Sequence, residues 1–556
     1  MKKTTILLLI ILSTHIQGQT YYTQPITGTK AYMGLANKAV LEIEFANGNS
    51  SLQIQKPLIV VEDFDSGLMG KENEFGEVDY EKFKRSIDNG LSSNLSDQLS
   101  TYDIIYVNFK NGHDYMQRNA YLVEDIIKWV NGQKAISGST KKNVVLGQGM
   151  GGLIARYALK DMENNYEDHK TSLYISHDAP HQGANVPLAV QYFLRHVANE
   201  KVQGNLGDIN VNAVDGGISA NTDDLSNLFE QPGTQQLMIN YVNSNFVNDN
   251  PKGTAWREEL KNLGYPQIRN IAISNGSHCA NTQPFEPSDN LFSLTAHVKT
   301  TFLADLLMAI TPIIRFSTGH INPEDIKELE GRNHFDANFY GKALPVEWSS
   351  GQVYHGSMSY KKRFWLIPLK TINLITPRDF SVPSGLSYDY YPGGQKELFT
   401  DPISGSVNNK DSWVSYFVST GATLQIQNSF DYIPTPSGLD VGSGQTSLSS
   451  NDFSEKYNKL NPPFASKFPA FHNYTTSFNT SGTNENHISF NTRNGDWLAT
   501  ELDNDADNTQ NFDCTYVCEG IEIAGPDVIC SSEVYSYSSP SWATGANWSI
   551  IQGANL

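Results

Sequence analysis

The sequence predicts an α/β protein built on a mostly parallel sheet, and three observations carry that prediction. Between about Lys56 and Ser176, short apolar runs alternate with helically periodic segments, the order that parallel β-α-β units impose. One such run enters a glycine turn and continues straight into a helical pattern, giving NVVLGQGMGGLIARYAL over residues 143–159. The chain is also long: 556 residues can bury a large core and hold more than one domain.

Each element follows from its own pattern. Residues 57–61 (PLIVV) and 103–109 (DIIYVNF) read as buried strands, because a strand covered on both faces shows no polar alternation. Residues 117–130 place Tyr121, Leu122, Ile126, Trp129 and Val130 at helical spacing. A strand at 143–147, a helix at 153–162, a strand at 171–176 and a further strand at 268–274 (IRNIAIS) complete the core sheet. The core is interrupted by insertions at about 184–265 and 280–420. Within the second, residues 291–316 form an apolar segment broken by His297, Lys299 and Asp305. It reads as an ordinary buried or half-buried helix, with a lid over a site as the alternative.

Both ends of the chain differ from the core. Lys2 and Lys3, the apolar run Ile6 to Leu12, and small or polar residues to about Gln19 form the three-part pattern of a secretory signal peptide over 1–19. The expected location is therefore extracellular or at the cell surface. Residues 501–519 begin with ELDNDADNTQNFD, which is nearly free of large apolar groups and reads as a linker. Asp503, Asp505 and Asp507 alternate as in some calcium loops, but the bidentate Glu and the Gly of a full loop are missing, so the expectation stays with a solvated linker. Residues 520–556 alternate in strand fashion with aromatic and turn residues. They resemble the opening strands of Ig-like, PKD-type modules, of which about 100 residues make a full sandwich.

Charge and cysteines narrow the partners. A net charge of -19 gives no attraction to nucleic acid or to anionic membrane surfaces. No later stretch of about 20 apolar residues exists to insert stably in a bilayer. The four cysteines, Cys279, Cys514, Cys518 and Cys530, allow three disulfide connectivities. Cys514 and Cys518 lack a partnering Cys/His pair, so a local disulfide or free thiols is expected in place of a metal site. No metal and no cofactor is predicted.

The glycine turn admits two readings. Gly147, Gly149 and Gly152 satisfy G-x-G-x-x-G, and Asp178 ends the next strand where a dinucleotide fold places its ribose-binding carboxylate. Against this, two sheet strands precede the turn, and Asp178 lies 31 positions past the first glycine where roughly 20 is usual. A secreted protein also has little access to nicotinamide cofactors. In the second reading Gly147 and Gly151 are the outer glycines of a G-x-S-x-G nucleophile elbow, and Gly149 stands where the serine would be.

The residues around the turn carry a family resemblance. GQGMGG followed by ARYAL resembles the elbow of lipase- and esterase-type α/β-hydrolases. HDAPHQGANVP at 177–187 is similar to the Pro-His-x-Gly segment of many bacterial lipases. PLIVVEDFD at 57–65 is similar to the oxyanion strand and loop, with Glu62-Asp63 where His-Gly is usual. The whole resembles secreted, Bacteroidetes-type lipase-like proteins with C-terminal Ig-like modules. It implies an α/β-hydrolase domain with insertions over 20–500 and a Ser-His-Asp type mechanism of ester hydrolysis.

Site residues follow from that resemblance. Gly149 occupies the nucleophile position. The oxyanion donors would be the N–H of Met150 and a loop donor, that of Phe64. The base would be a histidine late in the chain: His487, with His472 as rival. The acid is either Asp178 or Asp431, divided evenly. Gln148 and His181 are placed in the pocket wall. Glycine brings no attacking atom, and losing the serine of such a triad costs about a millionfold in turnover. Three functions therefore stand: an ester or lipid hydrolase inactive in this form; a pseudoenzyme binding acyl, ester or glycan-like small molecules; and, behind both, a dinucleotide-binding oxidoreductase.

Overall fold

A computed structural model describes residues 21–65, 79–88, 94–199, 209–213, 229–277, 283, 285, 289–299, 314–318, 334–344, 350–364, 367–383, 389, 391–397, 405–408, 419–427, 429–440, 471–477 and 484–503. The leader, the four cysteines and the segment 520–556 lie outside these residues.

The chain begins with strands β1 (Tyr21–Thr27) and β2 (Lys38–Glu44), which pair antiparallel. Then come β3 (Pro57–Val61), β4 (Asp103–Phe109), β5 (Asn143–Gln148) and β6 (Thr171–His177). The first insertion contributes β7 (Ile209–Ala213), after which β8 (Arg269–Ser277) returns to the core. Much later β18 (Phe471–Ser477) closes it. The resulting eight-stranded sheet has the order β1-β2-β4-β3-β5-β6-β8-β18. β2 alone runs against the rest, since its pairings with β1 and β4 are antiparallel and all later ones are parallel. This strand order, with helices on both faces and a strand–turn–helix after β5, is the α/β-hydrolase fold.

Burial on both faces explains why the middles of the central strands are apolar. In β3 and β5, Ile59, Val61 and Val145 face one core cluster, while Leu58, Val60, Val144 and Leu146 face another. The first is sealed by helices Met116–Ser137 and Met150–Asn164, which supply Ala120, Val123, Ile127, Leu153, Ile154 and Leu159. Helix Pro251–Leu263 packs beside them, its Trp256 stacked on Tyr157 at 5.6 Å. The second is sealed by helices Tyr80–Asp88, Leu95–Leu99 and Thr492–Asp503 through Tyr80, Phe83, Leu95, Leu99, Leu498 and Leu502.

Between β8 and β18 the chain builds a separate antiparallel layer. Its members are β9 (Asn290–Lys299), β11 (His334–Lys342), β12 (Ser350–Phe364), β13 (Ile367–Pro383), β15 (Gly405–Asn408) and β16 (Ser419–Ile426), in the order β13-β12-β11-β9-β16-β15. Phe292, Phe339, Tyr354, Met358, Ile375 and Val382 pack its inner face on helix Leu188–Asn199. Two short pairs complete the strands: β10 (Ile314–Thr318) with β7, and β14 (Gly393–Glu397) with β17 (Ser429–Pro434).

Two expectations are corrected here. The apolar segment from 291 was expected to be helical, but residues 290–299 are strand β9, held antiparallel between β11 and β16. Its Leu, Phe, Thr and Val content suits a pleated surface, and cross-strand pairing overrides the helix-like spacing. The linker was expected to start at 501, but Glu501–Asp503 is the last turn of a helix. Glu501 is buried there against Arg269, which explains an acidic residue on an otherwise apolar helix face. No helix among the described residues is long and apolar enough to cross a membrane.

Candidate active site

The turn after β5 is a sharp strand-to-helix elbow. A Cβ on Gly147 would lie 2.3 Å from the Cα of Gly152, so strand and helix cross too closely for a side chain there. Gly149 itself has φ 47° and ψ -121°, a conformation that costs other residues about 1–3 kcal/mol. Its N–H donates to the His177 carbonyl at 2.8 Å, tying the elbow to the neighbouring strand.

Several segments distant in sequence converge on this turn. Asp178 follows β6 with φ 49°, and Ile488, next to His487, has φ 52°; such backbone strain in non-glycine residues collects at functional sites. His487 Nδ1 donates to Asp178 Oδ2 at 2.7 Å, and its backbone N–H donates to the Gln395 carbonyl on β14 at 2.7 Å. Asp178 Oδ1 accepts from the Asn275 N–H at 3.0 Å. Tyr432 on β17 sets its ring edge-on to the imidazole, with centroids 4.9 Å apart. The base position and one of the two acid positions thus meet beside Gly149.

The place that a serine side chain would fill is taken by Asp63. A Cβ built on Gly149 would lie 1.8 Å from Asp63 Oδ1 and 2.9 Å from His487 Nε2. Asp63 Oδ1 accepts the Met150 N–H at 2.7 Å, and Asp63 Oδ2 accepts from His487 Nε2 at 3.0 Å. One carboxylate therefore plugs the elbow's oxyanion donor and engages the histidine nitrogen that would deprotonate a nucleophile.

Electrostatics lock this arrangement. Burial opposes charge on His487, but the Asp63 carboxylate and the hydrogen bonds to Asp178 and Asp63 outweigh it and raise its pKa to about 9. Burial likewise opposes charge on Asp63, yet His487, Lys396 and the Met150 N–H bring its pKa down to about 2. The centre is thus an imidazolium between two carboxylates, with both ring nitrogens donating. An imidazolium has no lone pair with which to accept a proton, so the raised pKa of His487 works against general-base action at neutral pH. The adjacent Glu62 goes the opposite way: burial, then the charge of Asp65, raises its carboxyl well above the usual range. Glu62 stays neutral and anchors its loop by accepting the Phe109 N–H at 2.6 Å.

The other proposed site residues lie elsewhere or act differently. Asp431 is fully buried and not bonded to His487; burial, then the charge of Asp178, pushes its carboxyl well up. Of the two candidate acids, Asp178 is the one that bonds His487. Phe64 packs its ring against the core, and its neighbour Asp63 presents a carboxylate to the elbow. His181 does not line the elbow: its Nδ1 accepts from Arg156 at 3.1 Å and its Nε2 bonds Ser176 at 2.9 Å. Burial, reinforced by Arg156, holds it neutral as a structural link to the Arg156–Asp440 ion pair. Gln148 is a buried strand residue paired with His177. His472 lies on β18. Asp178 bonds His487 in place of the ribose contact that a dinucleotide fold would need.

Sequence reasoning missed Asp63, Asn275 and Tyr432. Only Asp63 had a signal: the acidic pair Glu62-Asp63 where the related loop carries His-Gly.

Strand order and elbow define the class, an α/β-hydrolase fold, with a bonded His487–Asp178 pair beside Gly149. A family model described as the PGAP1-like alpha/beta domain matches residues 99–261. A comparison with curated proteins finds no match. Among solved structures, the chain is similar to a peroxisomal alpha-beta-hydrolase of Saccharomyces cerevisiae, at 12% identity over 46% of this chain and 74% of that one, with TM-score 0.25. It is also similar to EstE1, a thermostable carboxylesterase cloned from a metagenomic library, at 12% identity over 45% and 68%, with TM-score 0.26. A hyperthermophilic esterase of the archaeon Pyrobaculum calidifontis matches at 13% identity over 31% of this chain and 50% of that one, with TM-score 0.21, so the chain spans about half its length.

Proposed function

We propose that this protein is a secreted lipase/esterase-type α/β-hydrolase whose elbow has been silenced for serine acyl transfer, with Asp63 filling the place of the lost nucleophile. One observation carries the reading: the Asp63 carboxylate bonds both the Met150 N–H and His487 Nε2, in space where a Gly149 side chain would lie. The leader pattern supports secretion, and the resemblance of the elbow supports an ester- or lipid-like small-molecule ligand for the site.

The same geometry sets the requirement for restoring activity. Serine at 149 alone collides with Asp63 and meets a histidine that is already protonated. Removing the Asp63 side chain as well frees the oxyanion donor and returns His487 to a base. The test is p-nitrophenyl ester hydrolysis by wild type, Gly149→Ser, and Gly149→Ser combined with Asp63→Gly. The expected result is His487-dependent turnover only in the double variant, at least about a hundredfold above the others, within the 10²–10⁴ that a positioned base contributes. Wild-type turnover abolished by His487→Ala contradicts the reading.

A further inference from the structure

We propose that Ser357, His355 and Asp379 form a second nucleophilic site, on the outer face of the insertion sheet, that transfers short acyl groups from esters. This goes beyond the silenced elbow and does not depend on it. His355 Nδ1 bonds Asp379 Oδ1 at 2.7 Å, and Ser357 Oγ bonds His355 Nε2 at 3.3 Å. A serine, a histidine and a carboxylate are thus joined in the bonding order of a catalytic triad, which is recognised by geometry and roles, not by sequence position.

The sheet builds this row from its register. Asp379 on β13 pairs directly with His355 on β12, and His355 with Tyr340 on β11. Ser357 is two residues from His355 and so shares its face. Tyr354, Gly356 and Met358 between and beside them point inward and are buried, as are Ala337 and Phe339 on β11. The imidazole is clamped: Tyr340 stacks on it with centroids 5.4 Å apart at 25°, and Tyr340 Oη donates to Gln352 Oε1 at 3.0 Å. Gln352 Nε2 in turn donates to Asp379 Oδ1, orienting the acid. The β12–β13 register shifts between Gln352 and Tyr354 and again between Gly356 and Ser359; such bulges re-aim side chains and are frequent beside active sites. His355 keeps 20% of its side-chain surface exposed, so the row meets solvent.

The chemistry balances with these groups and water alone. With Nδ1–H donated to Asp379, His355 Nε2 is the acceptor that takes the Ser357 hydroxyl proton as Oγ attacks the ester carbonyl. The tetrahedral intermediate collapses by breaking the acyl C–O bond, and the alcohol leaves with the proton from His355. Water, deprotonated by the same nitrogen, then attacks the acyl-serine, releases the acid and restores Ser357. Asn338, exposed and directly paired with Ser357, puts a side-chain amide on the same face of the sheet as the hydroxyl. A site on a sheet face selects by reach, not by enclosure, which favours short acyl groups.

Fluorophosphonate labelling of the full chain, mapped by peptide mass, tests this. The expected result is an adduct on Ser357, lost in Ser357→Ala and formed at least about tenfold more slowly in His355→Ala and Asp379→Asn. Ser359→Ala, two residues along the same strand, labels like wild type. Absence of an adduct, an adduct that persists in Ser357→Ala, or labelling of Ser357 at an unchanged rate in His355→Ala overturns the proposal. Because the Gly149→Ser/Asp63→Gly assay reads His487-dependent turnover, either proposal can fail without the other.

Discussion

His487 and Asp63 depend on each other for charge, and that dependence has a pH signature. The folded His487 titrates at about 9 against 6.5 for an ordinary imidazole. A group whose pKa is raised by folding stabilises fully below its unfolded value, and the contribution is lost as pH rises through the folded one. For Asp63 the folded value is about 2 against 3.8, so its contribution is present above 3.8 and lost as pH falls through 2. The ion pair is therefore strongest between about pH 4 and 6.5 and weakens towards pH 9. His487→Gln should be less stable than wild type by at most on the order of 3 kcal/mol at pH 6. Urea unfolding should show that gap shrinking by pH 10, and a gap constant across this range contradicts the charge assignment. The sequence nominated His487 by chain order, with His472 as rival, and left the acid divided between Asp178 and Asp431; of these, His487 and Asp178 are the two that bond each other. Asp63 showed only as half of an unusual acidic pair, because a carboxylate two residues past a buried strand looks like any loop acid until a distant imidazole closes on it.

At the scale of elements, the elbow was the most legible feature, since its glycines report backbone crossings that no side chain fits. Gly149→Ala tests the other half of that geometry. It forces a Cβ both into a strained conformation and against Asp63 Oδ1, and should destabilise by more than the roughly 1–3 kcal/mol of strain alone. In an Asp63→Gly background only the strain should remain. Denaturant titration of the four proteins measures this, and equal costs in both backgrounds contradict the occupancy of that space by Asp63. Buried strands β3, β4 and β5 were legible for a related reason: two covered faces leave their middle residues apolar. β9 was not, because an apolar run carries no record of whether its partners are the next helical turn or strands more than thirty residues away in sequence.

At the scale of the molecule, the sheet is closed at its far edge by long-range pairing that sequence pattern does not encode. Arg269 at the start of β8 forms a buried ion pair with Glu501 on the last described helix. That contact pins helix Thr492–Asp503 over Tyr102, Leu99 and Leu95. Glu501→Ala strands a buried guanidinium, and removing one partner of such a pair costs about 3–5 kcal/mol. A fall in unfolding free energy of that size, with the His487–Asp178 pair intact by spectroscopy, is expected; a neutral substitution contradicts the helix's role in closing the core. The whole architecture therefore brings His487, late in the chain, to the elbow at 149 beside the β14–β17 pair and the closing strand β18, where Asp63 completes the centre.

The central claim is that Asp63 replaces the nucleophile and holds His487 as a cation. Histidine-selective NMR titration, with His487 assigned through His487→Gln, tests it most directly. The account predicts a wild-type pKa near 9 that falls markedly in Asp63→Asn. A wild-type value near 6.5, or one unmoved by Asp63→Asn, contradicts it.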